Sequence, residues 1–557
     1  MPQDPRTRKQ VKNIRLPLIG TFTNRNSSGL KDQRFVNIYP ETQKTSAIDS
    51  TRIYLNKRPG LSLYKNFSTG EGRGITEFNG SLYLVIGNTL WKDGTTPTSI
   101  LTLSTSSGPC GLVVGDSAIS GEYLFVCDGT GAWVISTAGV VTTISNSSLR
   151  SISITNGGTG YTPGTYSLGF AGGGGSGAAG TYTITGSSVA YITISNYGTG
   201  YSSAPTVSFP SGGGSAAAAT AYLNQFPTPH IPTPTIIDGY VLLAKGSDVY
   251  NSVLDEPSHW DASNFLTAQM FPDTIKALAR QNNQVMVLGE NSVEFFYDAA
   301  NVSGSPLSRN DSTIIQQGVA FPYAVYQNER TCTFVGQSES GGRTVWQVEG
   351  FQPKRVSDEY IDRILDKETQ PLLCDGFGCR TNGHQFFVIN CKGLDRTFVY
   401  DLDEKLWHEW SSNDSGNHVA FNCNHHTDIQ TGTSYLQDIS DGNVYTFDPE
   451  HYIDDDDGVI LVDVTTAKYD MDTLNYKFMS YCAPISDLYS NDNSIDMKWT
   501  DNDYQTWSGT VTIELNEVLP KQTQLGSFRR RAFNIKHASD NPLRLESLEV
   551  VYTEGVH

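Results

Sequence analysis

Three consecutive arginines near the end of the sequence are the first candidates for chemistry, because they concentrate positive charge. Arg529, Arg530 and Arg531 follow Phe528 in the sequence FRRRAF. Guanidinium groups bind carboxylates and phosphates through paired hydrogen bonds. Strand alternation places Arg529 and Arg531 on one face. We therefore predict an interface here, which could face DNA, an acidic protein surface or solvent.

A second group contains thiols and imidazoles, the side chains that bind zinc. Its members are Cys374, Cys379, Cys391, Cys423, His425 and His426. The gaps of four and eleven residues between the first three cysteines do not match a zinc ribbon. The acidic run at 454–457 lacks the alternating aspartates and distal glutamate of a calcium loop, so it indicates a solvated linker. We predict no metal site.

Residues 499–507, WTDNDYQTW, resemble the Asp-box hairpin of sialidases and other propeller glycosidases. In those proteins the box is a turn device and not a catalytic group. A glycosidase needs two facing carboxylates, and the 58 acidic residues single out no pair. Neither a Gly-x-Ser-x-Gly elbow nor a Walker-type motif occurs. We predict a structural turn, no catalytic residue and no cofactor.

The composition is that of an acidic β protein. Among 557 residues, 53 are glycine and 11% are aromatic, which favours strands. The net charge of −19 argues against a protein that binds DNA through its phosphates. It fits either a protein with no nucleic-acid role or a conduit along which DNA slides without sticking. Thinly spread cysteines and a polar start predict synthesis in a cytoplasm.

The elements that position these residues follow a repeating design, best seen in residues 281–296 (QNNQVMVLGENSVEFF). A polar turn, an apolar run, a second turn and an alternating run predict a β-hairpin. Similar hairpins begin near residues 80, 121, 239, 284, 330, 384 and 433. Most intervals are about 41 to 54 residues, the length of one propeller blade. We predict an all-β fold with a β-propeller of six or seven blades.

One interval is about 118 residues long, because residues 148–222 form an insert of different composition. The insert is a tandem repeat with a period near forty residues, and each copy contains Gly-Thr-Gly-Tyr and ends in a small-residue run. The two tyrosines, Tyr161 and Tyr201, are candidate interface residues. We predict two small β units that decorate the surface, touch a neighbouring subunit or contact a host.

The remaining segments complete the predicted organisation. Residues 1–13 form an arm, 14–147 and 223–450 the two parts of the propeller, and 459–557 a C-terminal β-sandwich-like domain. An N-terminal strand is expected to close the propeller. A helix is predicted near 358–366, with Ser357 as its N-cap and an apolar stripe at Ile361, Ile364 and Leu365.

The order of several segments resembles the tail accessory, or packaged-DNA stabilisation, proteins of short-tailed bacteriophages (podoviruses). The matching segments are VNIYPE with LNKRPGLSLY near the start, NSVEFFYDA followed by IIQQGVAFPYAV, the stretch from Trp346 through Ile364, and FRRRAFNIKHASDNPLRLESLEV at the end. The resemblance covers most of the chain but not the insert.

The resemblance implies a non-enzymatic virion protein made in the host bacterial cytoplasm. Identical subunits, six in relatives, would form a tail nozzle ring below the portal and adaptor proteins. Such a ring closes the DNA channel, retains packaged double-stranded DNA until ejection and docks tail fibres or spikes. DNA would pass through the lumen without specific binding. A propeller glycosidase or depolymerase acting on host surface polysaccharide is the alternative reading, and a receptor-binding role of the insert is a third.

Overall fold

The computed structural model describes residues 11–19, 33–44, 51–119, 121–271, 273–328, 330–429, 432–455, 458–489 and 493–555. Within these residues the chain is almost entirely β-structure, with one α-helix and one short 3-10 helix. The predicted all-β class is therefore confirmed. Contacts divide the chain into two compact units, one formed by Met1–Gly87 with Val319–His557 and the other by Asn88–Gly318.

The first unit begins with seven strands: β1 (Val11–Pro17), β2 (Arg34–Val36), β3 (Ile38–Lys44), β4 (Thr51–Lys57), β5 (Gly60–Asn66), β6 (Gly72–Phe78) and β7 (Ser81–Ile86). The second unit continues with β8 (Thr89–Lys92), β9 (Thr98–Thr102), β10 (Gly111–Ser117), β11 (Gly121–Cys127), β12 (Ala132–Ser136), β13 (Val141–Thr143), β14 (Leu149–Thr159), β15 (Gly164–Ser167), β16 (Gly169–Ala171), β17 (Ser176–Thr185), β18 (Ser188–Thr199), β19 (Thr206–Ser208), β20 (Ser215–Leu223), β21 (Ile231–Ile237), β22 (Tyr240–Lys245), β23 (Asp248–Val253), β24 (Glu256–Thr267), β25 (Ile275–Gln281), β26 (Gln284–Gly289), β27 (Val293–Asp298) and β28 (Leu307–Ile315).

The chain then returns to the first unit through β29 (Gly318–Val319), β30 (Val325–Gln327), β31 (Thr331–Gln337), β32 (Arg343–Glu349), β33 (Gln352–Arg355), α1 (Glu359–Leu365), the 3-10 helix Pro371–Leu373, β34 (Asp375–Thr381), β35 (His384–Cys391), β36 (Arg396–Asp401), β37 (Leu406–Trp410), β38 (Ser412–Asp414), β39 (Asn417–Val419), β40 (Cys423–Asp428), β41 (Ser434–Asp438) and β42 (Asn443–Asp448). It ends with β43 (Ile453–Asp454), β44 (Gly458–Val459), β45 (Val462–Thr465), β46 (Lys477–Ser486), β47 (Ser494–Thr500), β48 (Val511–Glu514), β49 (Gln522–Thr523), β50 (Ser527–Phe528), β51 (Ala532–His537) and β52 (Arg544–Glu554).

Antiparallel four-stranded sheets recur in both units. The second unit contains β10–β13, β21–β24 and β25–β28, and the first unit contains four-stranded runs at β34–β37 and at β40–β42 with β5. Six of the seven predicted hairpins are confirmed by the pairing of their strands: β11 with β12, β22 with β23, β26 with β27, β31 with β32, β35 with β36 and β41 with β42. The strands of the seventh, β7 and β8, belong to different units. The blade number stays a prediction.

Short polar turns explain why the chain folds back at regular intervals. Between β6 and β7, Asn79 and Gly80 both have positive φ, at 49° and 70°. Two consecutive left-handed residues form the turn that best matches the twist of paired strands, and asparagine, aspartate and glycine tolerate it. Asp238 and Asn382 adopt the same conformation before the glycines that precede β22 and β35. Local sequence therefore specifies where these hairpins turn.

An early strand closes the last four-stranded sheet of the first unit, as the sequence predicts. β5 pairs antiparallel with β42 along its length. The buried Arg58 just before β5 forms a two-pronged ion pair with Asp454, and its Nη1 lies 2.9 Å from Oδ1. Asn37 Oδ1 accepts a further hydrogen bond from Arg58 Nε at 2.9 Å. A guanidinium with this many acceptors fixes the path of the chain between β4 and β5.

Asp454 corrects the interpretation of the acidic run at 454–457 as a solvated linker. This residue is 3% exposed, it lies in β43, and β43 pairs with β5. The prediction failed for this residue because an acidic run indicates solvent only when no buried cation faces it. Residues 456 and 457 lie outside the described residues.

The predicted helix is present as α1, and its N-cap is one residue later than expected. Asp358 has extended backbone angles, and its side chain accepts hydrogen bonds from the backbone N–H groups of Tyr360 and Ile361. The predicted cap, Ser357, donates its hydroxyl to Asp362 and accepts from the N–H of Val345. Aspartate therefore caps the helix, and the serine ties it to β32.

The C-terminal region folds as two sheets that also recruit strands from the start of the chain. One sheet joins β3, β4, β52, β46 and β49, with β1 on β52 and β50 on β46. The other runs through β2, β45, β51, β47 and β48, and continues into the four-stranded sheet β34–β37. Strands before residue 58, placed by sequence in the first part of the propeller, thus pair with strands of the segment 459–557. A shared apolar core includes Leu16, Phe35 and Phe533.

A buried carboxylate lies where the four-stranded sheet β34–β37 continues into the C-terminal sheet through β2. Glu409, at the end of β37, accepts paired hydrogen bonds from Arg34 of β2 and from Arg396 of β36. Burial opposes its ionisation, but the two guanidinium groups hold the pKa of Glu409 at about 2. The charge is therefore retained inside the fold.

The insert consists of β14–β20, and its two repeats exchange strands. The first strand of repeat one, β14, pairs with the last strand of repeat two, β20, while β17 of repeat one pairs with β18 of repeat two. The short strands β16 and β19 pair in the same manner. The ends of the insert meet, since the N–H of Asn224 donates to the carbonyl of Ser148 at 3.0 Å. The insert therefore lies between two complete four-stranded sheets, β10–β13 and β21–β24, and its adjacent ends leave both intact.

Candidate interaction surfaces

The three arginines predicted to form an interface occupy different environments. Arg531 is 1% exposed. Its Nε and Nη2 donate to the two carboxylate oxygens of Asp501 at 2.7 and 2.8 Å, and its Nη1 donates to the carbonyl of Leu525 at 2.7 Å. The guanidinium lies 4.3 Å from the ring centroid of Phe528. Arg531 is therefore a core residue, and its prediction as an exposed contact was wrong because Asp501 and the ring of Phe528 enclose it.

The segment 499–507 supplies the partner of that arginine. Asp501 follows β47, and the next residues turn through positive φ values of 63° at Asp503 and 65° at Tyr504. Asn502 accepts from the N–H of Thr506 at 3.0 Å, which closes the turn. The predicted structural turn is confirmed, with Asn502 closing it, and Asp501 at its start has the unpredicted role of holding a buried arginine.

Arg529 and Arg530 are exposed. Arg530 lies 3.5 Å from Asp503, an ion pair at the surface. Arg529 instead donates to the carbonyl of Leu474 at 2.8 Å and its guanidinium lies 4.3 Å from the ring centroid of Tyr476. Arg529 has no carboxylate within ion-pair distance in the part of the chain that the structure describes.

Exposed apolar side chains surround Arg529. Leu474 is 60% exposed, Tyr476 41% and Phe478 44%. We call Leu474, Tyr476, Phe478 and Arg529 the arginine patch. Aromatic residues and arginine are the types enriched at protein interfaces. The sequence analysis found the arginine but missed its neighbours, although Leu474, Tyr476 and Phe478 recur at every second position, the spacing that places side chains on one face of an extended chain.

A second apolar surface lies at the other end of β46. It is a groove of about 190 Å³ whose most exposed apolar residues are Leu488, Val518 and Leu519, and Glu517 lies at its edge. We call these four residues and the end of β46 the C-terminal groove. The sequence analysis missed this groove, although the apolar pair Val518-Leu519 lies between Glu517 and Pro520, and such a pair is unusual in a solvated turn.

The two candidate tyrosines of the insert are buried and face each other's repeat. Tyr161 is 6% exposed and packs on Gly214, whereas Tyr201 is 5% exposed and packs on Gly175. A methyl group at either glycine would collide with the tyrosine ring. Each tyrosine of one repeat thus requires a glycine of the other. Their prediction as external contacts was wrong, because the interface they form lies between the two repeats.

Two groups of side chains have the composition of metal ligands. The ligand atoms of His384, Asp401 and Asp403 lie within 4.8 Å of one another. His384 Nδ1 is 2.8 Å from Asp401 Oδ2, and Asp403 accepts from the N–H of Gln385. A hydrogen bond to Asp401 raises the pKa of His384. These contacts pair each ligand atom internally and tie the turn after β36 to the start of β35.

Glu368, Cys374 and Cys391 form the second group, and all three are buried. Glu368 accepts hydrogen bonds from the N–H groups of Gln370, Gly393 and Leu394. A hydrogen bond with Cys374 and burial raise the pKa of Cys391 well above its ordinary value. The three side chains form a buried hydrogen-bonded cluster.

The histidines and remaining cysteines singled out in the sequence do not converge. Cys379 and Cys423 pack in one apolar core. Burial lowers the pKa of His425 to about 4, and Nε2 of His426 lies 3.2 Å from Asp428.

The α-helix of the described residues has seven residues, so none of the helices seen there could span a membrane.

Comparison with protein families gives a match over the recurring sheets. Residues 216–452 match the sequence profile of a family described as "Bacteriophage P22 Gp10, beta-propeller". Residues 216–452, called here the phage stabilisation segment, are similar to this family. The predicted resemblance and the predicted propeller are confirmed over this segment, which contains β21–β28 and β31–β42. The phage stabilisation segment supports a structural role in a bacteriophage, and the insert and the C-terminal region lie largely or wholly outside it.

Other comparisons add little. No curated protein sequence matches the chain. Among solved structures, a streptogramin B lyase has a TM-score of 0.36 at 9% identity, covering 74% of this chain and 98% of the lyase. A catalytically inactive virginiamycin B lyase from Staphylococcus aureus, solved with quinupristin, has a TM-score of 0.36 at 7% identity, covering 73% and 99%. TM-scores at this level carry no argument about the function of the phage stabilisation segment.

Proposed function

We propose that this chain is a structural protein of the virion of a short-tailed bacteriophage, where identical copies form the tail nozzle ring below the portal and adaptor. The observation that carries the proposal is the family match over residues 216–452. Rigid sheets with tight turns suit a component that stacks against other rings. In this role the protein works by shape, and it needs no catalytic residue.

The second part of the proposal concerns DNA. The ring closes the channel and retains packaged double-stranded DNA, which later passes through without specific binding. The net charge of −19 supports this role, because like charge prevents the phosphate backbone from adhering. Buried arginines strengthen the argument: Arg58 and Arg531 point their charge into the fold, where it cannot attract phosphate.

The third part concerns partners. Portal and adaptor proteins on one side and fibre or spike proteins on the other are the proposed neighbours, and the insert β14–β20 is proposed as a surface decoration able to meet a fibre or the host cell. The protein is made in the host bacterial cytoplasm and ends in the virion tail.

Particles assembled without this protein test the proposal. We expect them to package DNA and then release it, so that nuclease treatment of purified particles degrades the genome. Addition of the purified protein to such particles should restore protection. Full, nuclease-resistant heads in the deletion mutant would refute the proposal, and release of reducing sugar from host capsule by the purified protein would favour the glycosidase alternative.

A further inference from the structure

We propose that the arginine patch of one copy binds the C-terminal groove of the next copy, and that this head-to-tail contact joins the subunits of the ring. The inference rests on the proposed function, which supplies the ring of identical copies. The two surfaces themselves come from the described residues of the C-terminal region.

The arginine patch has the chemistry of a binding hot spot. Tyr476 and Phe478 expose 41% and 44% of their surface, and the guanidinium of Arg529 lies 4.3 Å from the ring centroid of Tyr476. A cation held over an aromatic ring is already ordered, so it loses little conformational freedom on binding. Lys12, which also lies near this end of β46, is paired with Glu554 at 2.8 Å. Arg529 is therefore the cation available to a carboxylate.

The C-terminal groove offers the complementary chemistry. Val518 is 93% exposed, Leu488 63% and Leu519 49%, an unusual concentration of exposed aliphatic side chains. Glu517 precedes Val518, is exposed, and has no cationic partner among residues 11–555 that the structure describes. Asp487, which also lines the groove, is 3.7 Å from Arg544. The C-terminal groove thus combines exposed apolar residues with one unpaired carboxylate. The arginine patch combines exposed apolar residues with one unpaired guanidinium, so the two surfaces are complementary.

The two surfaces lie at opposite ends of one strand. Phe478 lies near the start of β46, and Ser486 at its end lines the groove. Eight residues of strand span about 26 Å at about 3.3 Å per residue. A two-fold pair would use both patches and both grooves within one dimer and leave no surface for a third copy. In a ring each copy binds one neighbour through its arginine patch and the other through its C-terminal groove, a heterologous contact that closes when the rotation permits.

A cross-linking experiment tests the contact directly. All eight native cysteines are buried, so an engineered surface cysteine reacts selectively with a short bismaleimide. We expect the double variant Phe478→Cys/Val518→Cys to give a ladder of covalent oligomers on a denaturing gel, with each single variant remaining monomeric. Cross-linking of the double variant that stops at a dimer would show a two-fold contact, and so would a covalent dimer from Val518→Cys alone; either result would overturn the proposal.

A charge exchange tests the ion pair within that contact. Arg529→Glu should weaken subunit association in analytical ultracentrifugation by about tenfold or more, and so should Glu517→Arg. The combined exchange Arg529→Glu/Glu517→Arg should restore association. Arg530→Glu is the matched control, because Arg530 is exposed but already paired with Asp503. We expect it to leave association unchanged.

The outcomes separate this inference from the proposed function. Rings that persist in both single charge variants, without a cross-linked ladder, overturn the assignment of the surfaces and leave the nozzle proposal intact. A wild-type chain that stays monomeric at every concentration reached overturns the contact. Protection of packaged DNA in particles tests the nozzle role separately. Unchanged melting temperatures of the surface variants confirm that any loss of association is not a loss of folding.

Discussion

The insert and the C-terminal region hold distant segments together by different means. Between residues 148 and 222 only Arg150 is charged, and the two repeats are locked by tyrosine rings seated on glycines. The C-terminal region instead buries Arg531 against Asp501. Steric fit does not depend on pH or salt, whereas a buried ion pair depends on the protonation state of its partners. The insert should therefore tolerate conditions that loosen the C-terminal region.

The same comparison explains why two sets of predicted contacts lie inside the molecule. Repeated tyrosines and clustered arginines both indicate side chains that make specific contacts. Such contacts can lie inside the protein as well as with a partner. Those of Tyr161, Tyr201 and Arg531 lie inside the protein.

The largest expected effect is the removal of one ring from the insert. Tyr161→Ala should destabilise β14–β20 by about 3–5 kcal/mol, because a buried aromatic side chain is lost and leaves a cavity. Hydrogen exchange of the backbone amides of β14 and β20 measures the change. Tyr191→Ala is the matched control, since Tyr191 is 56% exposed. Equal exchange rates in the two variants would contradict the steric lock.

A somewhat smaller effect is expected in the C-terminal region. Asp501→Asn leaves the guanidinium of Arg531 buried without its carboxylate and should lower the free energy of unfolding by about 2–3 kcal/mol. Chemical denaturation followed by tryptophan fluorescence measures the loss. Asp503→Asn removes a surface ion pair and should cost at most about 1 kcal/mol. The comparison fails if Asp503→Asn costs as much as Asp501→Asn.

Acidification should separate the two regions. Burial and the nearby Lys57 lower the pKa of His537, in β51, to about 3. The folded state keeps this imidazole neutral, whereas the unfolded chain binds a proton below its ordinary pKa of about 6.5. Stability therefore falls as the pH drops below 6.5, by about 2 kcal/mol at pH 5.

Hydrogen exchange at pH 7 and pH 5, corrected for the intrinsic rate, detects this difference. Amides of β51 should lose protection, and those of β14 and β18 should keep it. His537→Gln should remove part of the pH dependence of β51. Equal loss of protection in both regions would contradict the proposed contrast.

The smallest effect tests the internal symmetry of the insert. Asn156 and Asn196 each accept a hydrogen bond of 2.9 Å from the N–H two residues later. Replacing either by alanine should cost about 1 kcal/mol, and the two costs should agree because the turns are equivalent. Thermal unfolding of the two variants gives the comparison. Costs that differ by more than about 1 kcal/mol would show that the repeats are not equivalent.

Local pattern was sufficient for part of the fold and part of the candidate surfaces. Turns such as Asn79-Gly80 and the alternating runs around them predicted the hairpins, because both signals act between neighbouring residues. The Asp-box-like segment was correctly interpreted as a turn. The apolar residues of the C-terminal groove were not found, because exposure depends on what packs nearby and not on residue type.

The sequence by itself determined the β class, the spacing of the hairpins, the repeat in the insert and the relationship to a phage family. Only the tertiary structure decided that strands β1 to β4 join the C-terminal sheets, that Asp454 and Asp501 face buried arginines, and that Arg529 alone of its run is free of a carboxylate among the described residues. The reason is distance along the chain. Turns and alternation act over a few residues, whereas these pairings join residues 30 to several hundred positions apart, and only packing selects them.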